Sequence, residues 1–233
     1  MSDEDLIPDD DTVIAMTHLG YIKRMDLDNF KSQNRGGKGI KGMQTIDEDY
    51  IEDLFMTTNH HYVMFFTNLG RVYRLKCYEV PEGSRTSKGM NIANLLPVAQ
   101  DERVTSMIRV PQFEEDKYLV MVTRGGTIKR TSLNAFQTAR KGGVIALDLD
   151  EGDELAWVRL TDGNNELLVA TKKGMAIRFY ETDVRPMGRT ARGVKAITLN
   201  DGDSVVGMSV LREGGRVLTV SETGYGRLSP ISD

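Results

Sequence analysis

The chain has 233 residues, 39% hydrophobic and 27% charged, enough for one large domain or two small ones with a real core. No apolar run reaches about 18 residues, which excludes a helical membrane span, and the acidic opening Met1-Ser2-Asp3-Glu4-Asp5 reads as no secretory signal. A single cysteine, Cys77, excludes an internal disulfide framework and a Cys-ligated zinc, and the net charge of −4, taken alone, argues against a nucleic-acid partner.

Residues 1–11 carry six acids and read as an acidic lead-in linker, with the folded domain over 12–233. Within that domain one pattern recurs: an apolar run, Thr or Ser, two residues, Gly, then basic residues. It begins at Val13-Ile-Ala-Met-Thr17-His-Leu-Gly20-Tyr-Ile-Lys23-Arg24 and returns at Thr67…Gly70, Thr123…Gly126, Thr171…Gly174 and Ser221…Gly224. The glycines are 50, 56, 48 and 50 residues apart. A second glycine, at Gly39, Gly89, Gly143 and Gly193, trails the first by 19, 19, 17 and 19 residues. Two landmarks in register mean a repeat architecture.

Each repeat reads as four short strands. In the first they fall at Val13–Thr17, Tyr21–Met25, about Ile40–Ile46 and about Ile51–Thr57, with the Thr-x-x-Gly turn joining the first two as a hairpin. Tyr62–Phe66 and Tyr118–Val122 do not alternate, as expected of strands buried on both faces. Tyr50, Ile51, Leu54 and Phe55 have helical spacing, but the corresponding segments Val104–Val110, Leu155–Leu160 and Val205–Leu211 look extended, and strand is expected. The fold class is therefore all-β: a propeller-like disc of four-stranded blades of about 50 residues, four full and a partial fifth. An open β-solenoid or two sandwiches are the alternatives.

The charge follows the repeats. Residues 20–41, 70–89, 124–143 and 172–195 hold 23 basic and 6 acidic residues, and the rest of the chain holds 7 basic and 28 acidic. In a radial fold equivalent segments take equivalent places, so the basic segments would form a belt and the remainder an acidic surface. A Lys/Arg belt fits a phosphate backbone, and the acidic remainder would confine the polyanion to one track. Tyr21, Tyr73 and Phe179 flank the belt but read as strand residues, and no recognition helix is predicted. Both features favour sequence-tolerant binding of double-stranded DNA by phosphate contact and bending.

The first repeat carries Gln33-Asn34-Arg35-Gly36-Gly37-Lys38-Gly39. Three glycines let backbone N–H groups approach an anion, and Arg35 and Lys38 supply charge. This segment resembles the gyrase A box, with Asn34 where the family usually has Arg. Gly188-Arg-Thr-Ala-Arg192-Gly-Val-Lys195 and Glu222-Thr-Gly-Tyr-Gly-Arg227 are also similar to the C-terminal domain family of the DNA gyrase A subunit. The resemblance covers nearly the whole chain. It implies a β-pinwheel, a disc whose blades exchange strands, normally six, with this chain ending inside the fifth.

The resemblance further implies a noncatalytic domain, bacterial and cytoplasmic, that wraps DNA around its rim. The wrap sets a positive crossing whose ATP-driven passage leaves negative supercoils. Partners would be double-stranded DNA, the gyrase B subunit, together with the rest of the gyrase A subunit, in an A2B2 complex, with no membrane. No cofactor is expected in this chain; ATP and Mg2+ would act elsewhere in the holoenzyme. The box carries over to Gln33 through Gly39. Rim cations, assigned by repeat position and charge, would be Lys23, Arg24 and Lys41; Arg74, Arg85 and Lys88; Lys129, Arg130, Arg140 and Lys141; and Arg178, Arg189, Arg192 and Lys195. The rival readings are the paralogous topoisomerase IV domain, whose box is degenerate or missing, and a propeller used as a protein-interaction platform.

Other motifs are weaker. Gly37-Lys-Gly39-Ile-Lys-Gly42 matches a dinucleotide fingerprint but lacks the strand before it and the helix after it. Asp148, Asp150, Glu151, Asp153 and Glu154 lack the Gly and terminal Glu of a calcium loop and read as a solvated acidic turn. His18, His60 and His61 are badly spaced for a metal or a triad. Trp157, Cys77 and the 12 methionines read as core or near it, and no metal site is expected.

Overall fold

A computed structural model describes residues 2–27 and 49–211 in full, and 216–220 and 226–230 by their backbone. Gln33–Gly39, Lys41 and the strand expected near Ile40–Ile46 lie outside the described residues.

The first sheet shows how a repeat becomes a blade. Strands β1 (Asp11–Thr17) and β2 (Tyr21–Asp26) form the hairpin, and β3 (Ile51–Thr58) joins the far side of β1. The segment with helical spacing is thus extended, because its backbone pairs with β1 from Asp11↔Thr58 to Thr17↔Ile51. The fourth strand does not follow in sequence. It is β6 (Met90–Asn91), from the next repeat, paired as Tyr21↔Asn91 and Ile22↔Met90, so the sheet order is β3-β1-β2-β6. The expectation of four strands from one contiguous repeat is corrected here: the residues after the second glycine complete the preceding blade.

The rule repeats. Strands β4 (Tyr62–Thr67), β5 (Arg71–Lys76), β7 (Val104–Val110) and β10 (Val144–Ile145) form a sheet of order β10-β5-β4-β7. Strands β8 (Tyr118–Thr123), β9 (Thr127–Ser132), β11 (Leu155–Thr161) and β14 (Val194–Lys195) form β11-β8-β9-β14. The fourth sheet is β13-β12-β15, from β12 (Glu166–Thr171), β13 (Ala176–Tyr180) and β15 (Val205–Leu211). A hairpin of β16 (Arg216–Val220) and β17 (Gly226–Pro230) follows.

The Thr-x-x-Gly signature has a local cause. Each Thr carbonyl accepts the Gly N–H three residues on, at 3.0–3.1 Å, for Gly20, Gly70, Gly126 and Gly174. Each Thr hydroxyl oxygen accepts the N–H four residues on: Tyr21, Arg71, Thr127 and Met175. The glycines have φ between +74° and +91°, a region that costs other residues strain. Acids from elsewhere cap the turns: Asp49, Asp153 and Asp203 accept the N–H of Leu19, Gly125 and Lys173.

The chain divides into two compact units, one of Met1–Phe65, Tyr73–Gln112 and Ala139–Val144, the other of Phe66–Val72, Phe113–Thr138 and Ile145–Asp233. The first packs Ile14, Met16, Ile22, Val63, Phe65, Tyr73, Leu75, Cys77 and Leu96 into a buried cluster. The second packs Val120, Val122, Ile128, Leu167, Val169, Val205 and Met208. Residues 62–66 and 118–122 are almost wholly buried after their first tyrosine, as the unbroken apolar runs predict. Not every methionine is core: Met56, Met90 and Met175 are exposed. The acidic N-terminal residues contact the first unit through Glu4 to Lys76 Nζ at 3.1 Å, Asp9 to the His60 N–H at 2.8 Å and the Pro8 carbonyl to Asn59 at 3.0 Å.

The exchanged strand depends on a glycine. Gly193 has φ +94°, and a Cβ there would meet the Ile128 carbonyl oxygen at 2.5 Å. Gly193→Ala should therefore lower stability by about 1–3 kcal/mol in urea unfolding. Gly142→Ala, with nothing within 4 Å of its Cβ, should change stability little. Equal effects would contradict the close approach.

Candidate nucleic-acid interface

The exchanged strands bring a loop of each repeat onto the hairpin before it. Among the described residues, these loops carry the exposed cations Lys88, Arg140, Lys141, Arg185, Arg192 and Lys195, while Arg103, Arg109, Arg124, Arg159, Lys172, Lys173 and Arg178 are exposed elsewhere. The receiving point is the carbonyl of the first glycine. Gly20 accepts from Ile92, Gly70 from Ala146 and Gly126 from Ala196, each at 2.8 Å. Two of the loops are further held by the Lys-Arg pair that follows the turn, Lys23-Arg24 and Lys129-Arg130, and this corrects part of the sequence reading.

Lys23 is 1% exposed, and its Nζ donates to the carbonyls of Ser84 at 2.6 Å, Arg85 at 3.0 Å and Ser87 at 2.9 Å. Lys129 is fully buried and donates to the carbonyls of Ala146, at 2.5 Å, and Arg189. Arg130 is buried, with Nε on the Val184 carbonyl at 2.8 Å and Nη1 3.7 Å from Glu181. Half-buried Arg24 places Nε on the Val80 carbonyl at 3.0 Å. Lys23, Lys129 and Arg130 were expected at a solvent-facing rim; the structure spends their charge on backbone carbonyls and a buried carboxylate instead. A buried cation needs such partners, since desolvation would otherwise cost several kcal/mol.

The other expected cations differ in setting. In the first unit Lys88 is exposed and lies 4.1 Å from the Tyr21 ring centroid, and Arg140 and Lys141 are exposed. Half-buried Arg74 lies over the Tyr62 ring at 4.6 Å. Arg85 is half-buried, with Nη1 out of solvent and without an acceptor among the described residues. In the second unit Lys195 is exposed, and half-buried Arg189 donates to the Ile145 carbonyl at 2.6 Å. Exposed Arg178 pairs with Glu166. Exposed Arg192 meets Asp148 at 3.0 Å and Asp150 at 3.4 Å. The acidic turn is thus partly engaged with a rim arginine, a pairing that sequence reading missed because the partners are 42 and 44 residues apart.

The flanking aromatics pack within the fold. Tyr73 is buried and donates its hydroxyl to Glu102 at 2.7 Å. Cys77 is buried, and burial pushes its thiol up to about 11. A depression of about 770 Å³ in the first unit, lined by Tyr21, Lys23, Ser84, Ser87, Lys88 and Asn91 among others, lies at the exchanged loop. No group of three or more His, Cys, Asp or Glu among the described residues is placed to hold a metal ion.

Burial, and secondarily the Arg85 charge, pulls the Lys23 ammonium down to about 8, and burial with Arg189 does the same for Lys129. An unfolded lysine titrates near 10.4, so between about pH 8 and 10.4 the unfolded chain holds the extra proton. Stability contributed by this group must then rise with pH across that window. The urea-unfolding stability of the wild type relative to Lys23→Met should accordingly improve from about pH 8 to about pH 10 at fixed salt. A difference that stays level would contradict the depressed value.

Comparison with known proteins gives a consistent picture. The family model described as DNA gyrase C-terminal domain, beta-propeller, matches residues 11–58, 61–111, 117–162 and 165–212, one match per repeat. The DNA gyrase A subunit of Staphylococcus epidermidis is 49% identical over 236 aligned residues, covering 100% of this chain and 26% of that protein. This chain therefore spans about a quarter of the length of that relative. A crystal structure of the C-terminal domain of DNA topoisomerase IV superposes with TM-score 0.81 at 27% identity, over 95% of this chain and 68% of that one. A DNA gyrase A C-terminal domain structure gives TM-score 0.69 at 27% identity, over 94% and 71%.

Proposed function

Because the chain belongs to the DNA gyrase C-terminal domain family, in its beta-propeller form, we propose that it binds double-stranded DNA through the exchanged loops and bends it around them. The observation that carries this reading is the recurrence of exposed cations at one structural position: Lys88, then Arg140 and Lys141, then Arg192 and Lys195, each beside an exchanged strand. Phosphate contact needs no base-reading element, and none is present among these described loops. Bending 20–30 bp by 40–90° costs on the order of 1–6 kcal/mol, which additional Lys/Arg–phosphate contacts offset.

In this reading the chain is the noncatalytic part of an ATP-driven type II topoisomerase in the bacterial cytoplasm. It acts with the B subunit, together with the remainder of the A subunit. Wrapping presents a positive crossing to the DNA gate, and passage of that crossing leaves negative supercoils. Gln33–Gly39 would supply the Gly-rich anion cradle on the first blade. A second reading has a specific observation behind it, the TM-score of 0.81 to the topoisomerase IV domain. The fold is shared by both, so the box separates them: in the complete enzyme, Arg35→Ala with Lys38→Ala should abolish supercoiling and spare relaxation. Retained supercoiling would remove the box from the mechanism.

Ion pairing ranks the rim cations. Arg140→Ala with Lys141→Ala should weaken duplex binding and flatten the slope of log K against log salt by about 0.9 for each phosphate no longer neutralised. Arg178→Ala should do less, because Glu166 already holds that guanidinium. A salt-independent affinity of the wild-type chain would overturn the DNA-binding reading itself.

A further inference from the structure

We propose that Lys23 and Lys129 are positioning residues: buried ammonium groups that hold the cation-bearing exchanged loops in their DNA-binding conformation without touching DNA. This rests on the DNA-binding reading above and extends it to residues that never reach solvent.

Each compact unit buries a lysine that donates to a carbonyl of an exchanged loop, Lys23 to three and Lys129 to one. In the first, the Lys23 Nζ gathers the carbonyls of Ser84, Arg85 and Ser87. Arg24 holds the stretch just before them: its N–H donates to the Pro81 carbonyl at 3.0 Å, its carbonyl accepts from Gly83 at 2.9 Å, and its Nε donates to the Val80 carbonyl. In the second, Lys129 gathers the Ala146 and Arg189 carbonyls, while the Arg130 carbonyl accepts from Met187 at 2.8 Å and its Nε donates to the Val184 carbonyl. In the first unit the carbonyls of residues 84, 85 and 87, drawn onto one buried cation, fix the peptide planes between them. Exposure then alternates along the loop, with Glu82, Ser84, Thr86, Lys88 and Met90 exposed and the residues between them half-buried.

Two further observations point to the loop cations as the reason for a charge at this position. Four residues before the second glycine stand Arg85, Ala139 and Arg189. Beneath Arg85 and Arg189 lies a lysine; at the corresponding place beside Ala139 stands Tyr73, whose ring a Cβ on Gly143 would meet at 2.6 Å. A neutral ring therefore stands where this one loop position holds alanine, with Arg140 one residue further along the same loop. Filling the core alone does not require lysine. The second observation is electrostatic: Lys23 and Arg85 are like charges held close, as are Lys129 and Arg189, and each arginine disfavours the charge on its lysine. Anion binding at the loop would relieve that repulsion.

The test is a double-mutant cycle on the full chain, read by anisotropy of a labelled random-sequence duplex across a salt series. Circular dichroism and thermal melts would check the fold. The variants are Lys23→Met, Arg85→Ala with Lys88→Ala, and all three together. Lys23→Met should weaken binding and flatten the salt slope by about 0.9 per phosphate no longer neutralised, approaching the loop variant. It should add nothing further in the triple variant. Lys129→Met with Arg189→Ala and Arg192→Ala repeats the cycle in the second unit. Unchanged affinity in folded Lys23→Met, or full additivity in the triple variant, would overturn the proposal. So would loss of fold in both lysine variants, since the lysines would then serve the whole blade. If the loop variant alone binds as tightly as wild type, this loop is not a DNA contact, and the failure lies in the functional reading beneath the proposal.

Discussion

The structure depends on a transfer between repeats: the peptide groups just past one repeat's second glycine hydrogen-bond to the hairpin of the repeat before. The carbonyls of Gly20, Gly70 and Gly126 each accept an N–H from that incoming segment. A hairpin alone has an open edge and is marginal in water. The transferred strand is only two residues long in each case, Met90–Asn91, Val144–Ile145 and Val194–Lys195. Such a short ladder supplies few hydrogen bonds, so the loop beside it must be held by something more.

That additional hold is ionic. After the Gly20 and Gly126 turns, lysine and arginine enter the interior and bind backbone carbonyls of the incoming loop. A charged donor to a carbonyl makes a stronger bond than a neutral one, and its loss inside the protein leaves acceptors unpaired. The arrangement divides the basic residues into two populations that sequence cannot separate. One is buried and structural, as Lys23, Lys129 and Arg130 are; the other is exposed and available, as Lys88, Arg140, Lys141 and Lys195 are. Lys23 and Lys129 hold carbonyls of the loops that carry Lys88 and Lys195.

The acidic residues divide in the same way. Asp49, Asp153 and Asp203 close hairpin turns, and Glu181 sits fully buried beside Arg130 and accepts from the Thr161 hydroxyl at 2.8 Å. Asp148 and Asp150 hold Arg192. An acidic surface that simply repels a polyanion is therefore an incomplete description. Some acids are built into the turns that shape the blades, and two temper a cation on an exchanged loop.

The repeat, the all-β class and the Thr-x-x-Gly hairpins were legible in the sequence, because each follows from local chemistry. A threonine hydroxyl, a left-handed glycine and an apolar run act within a few residues of one another. The family was legible too, through the Gly-rich segment on the first repeat and the phrases near Arg192 and Arg227. What the tertiary structure alone decided was the destination of the side chains. Residues 51–58 became a strand because β1 offered them a ladder, against their own helical spacing. Lys23 turned inward because carbonyls some 60 residues further along the chain converge on it. Burial and charge pairing are sums over neighbours distant in sequence, and a one-dimensional pattern records the charge of a residue but not which neighbours surround it.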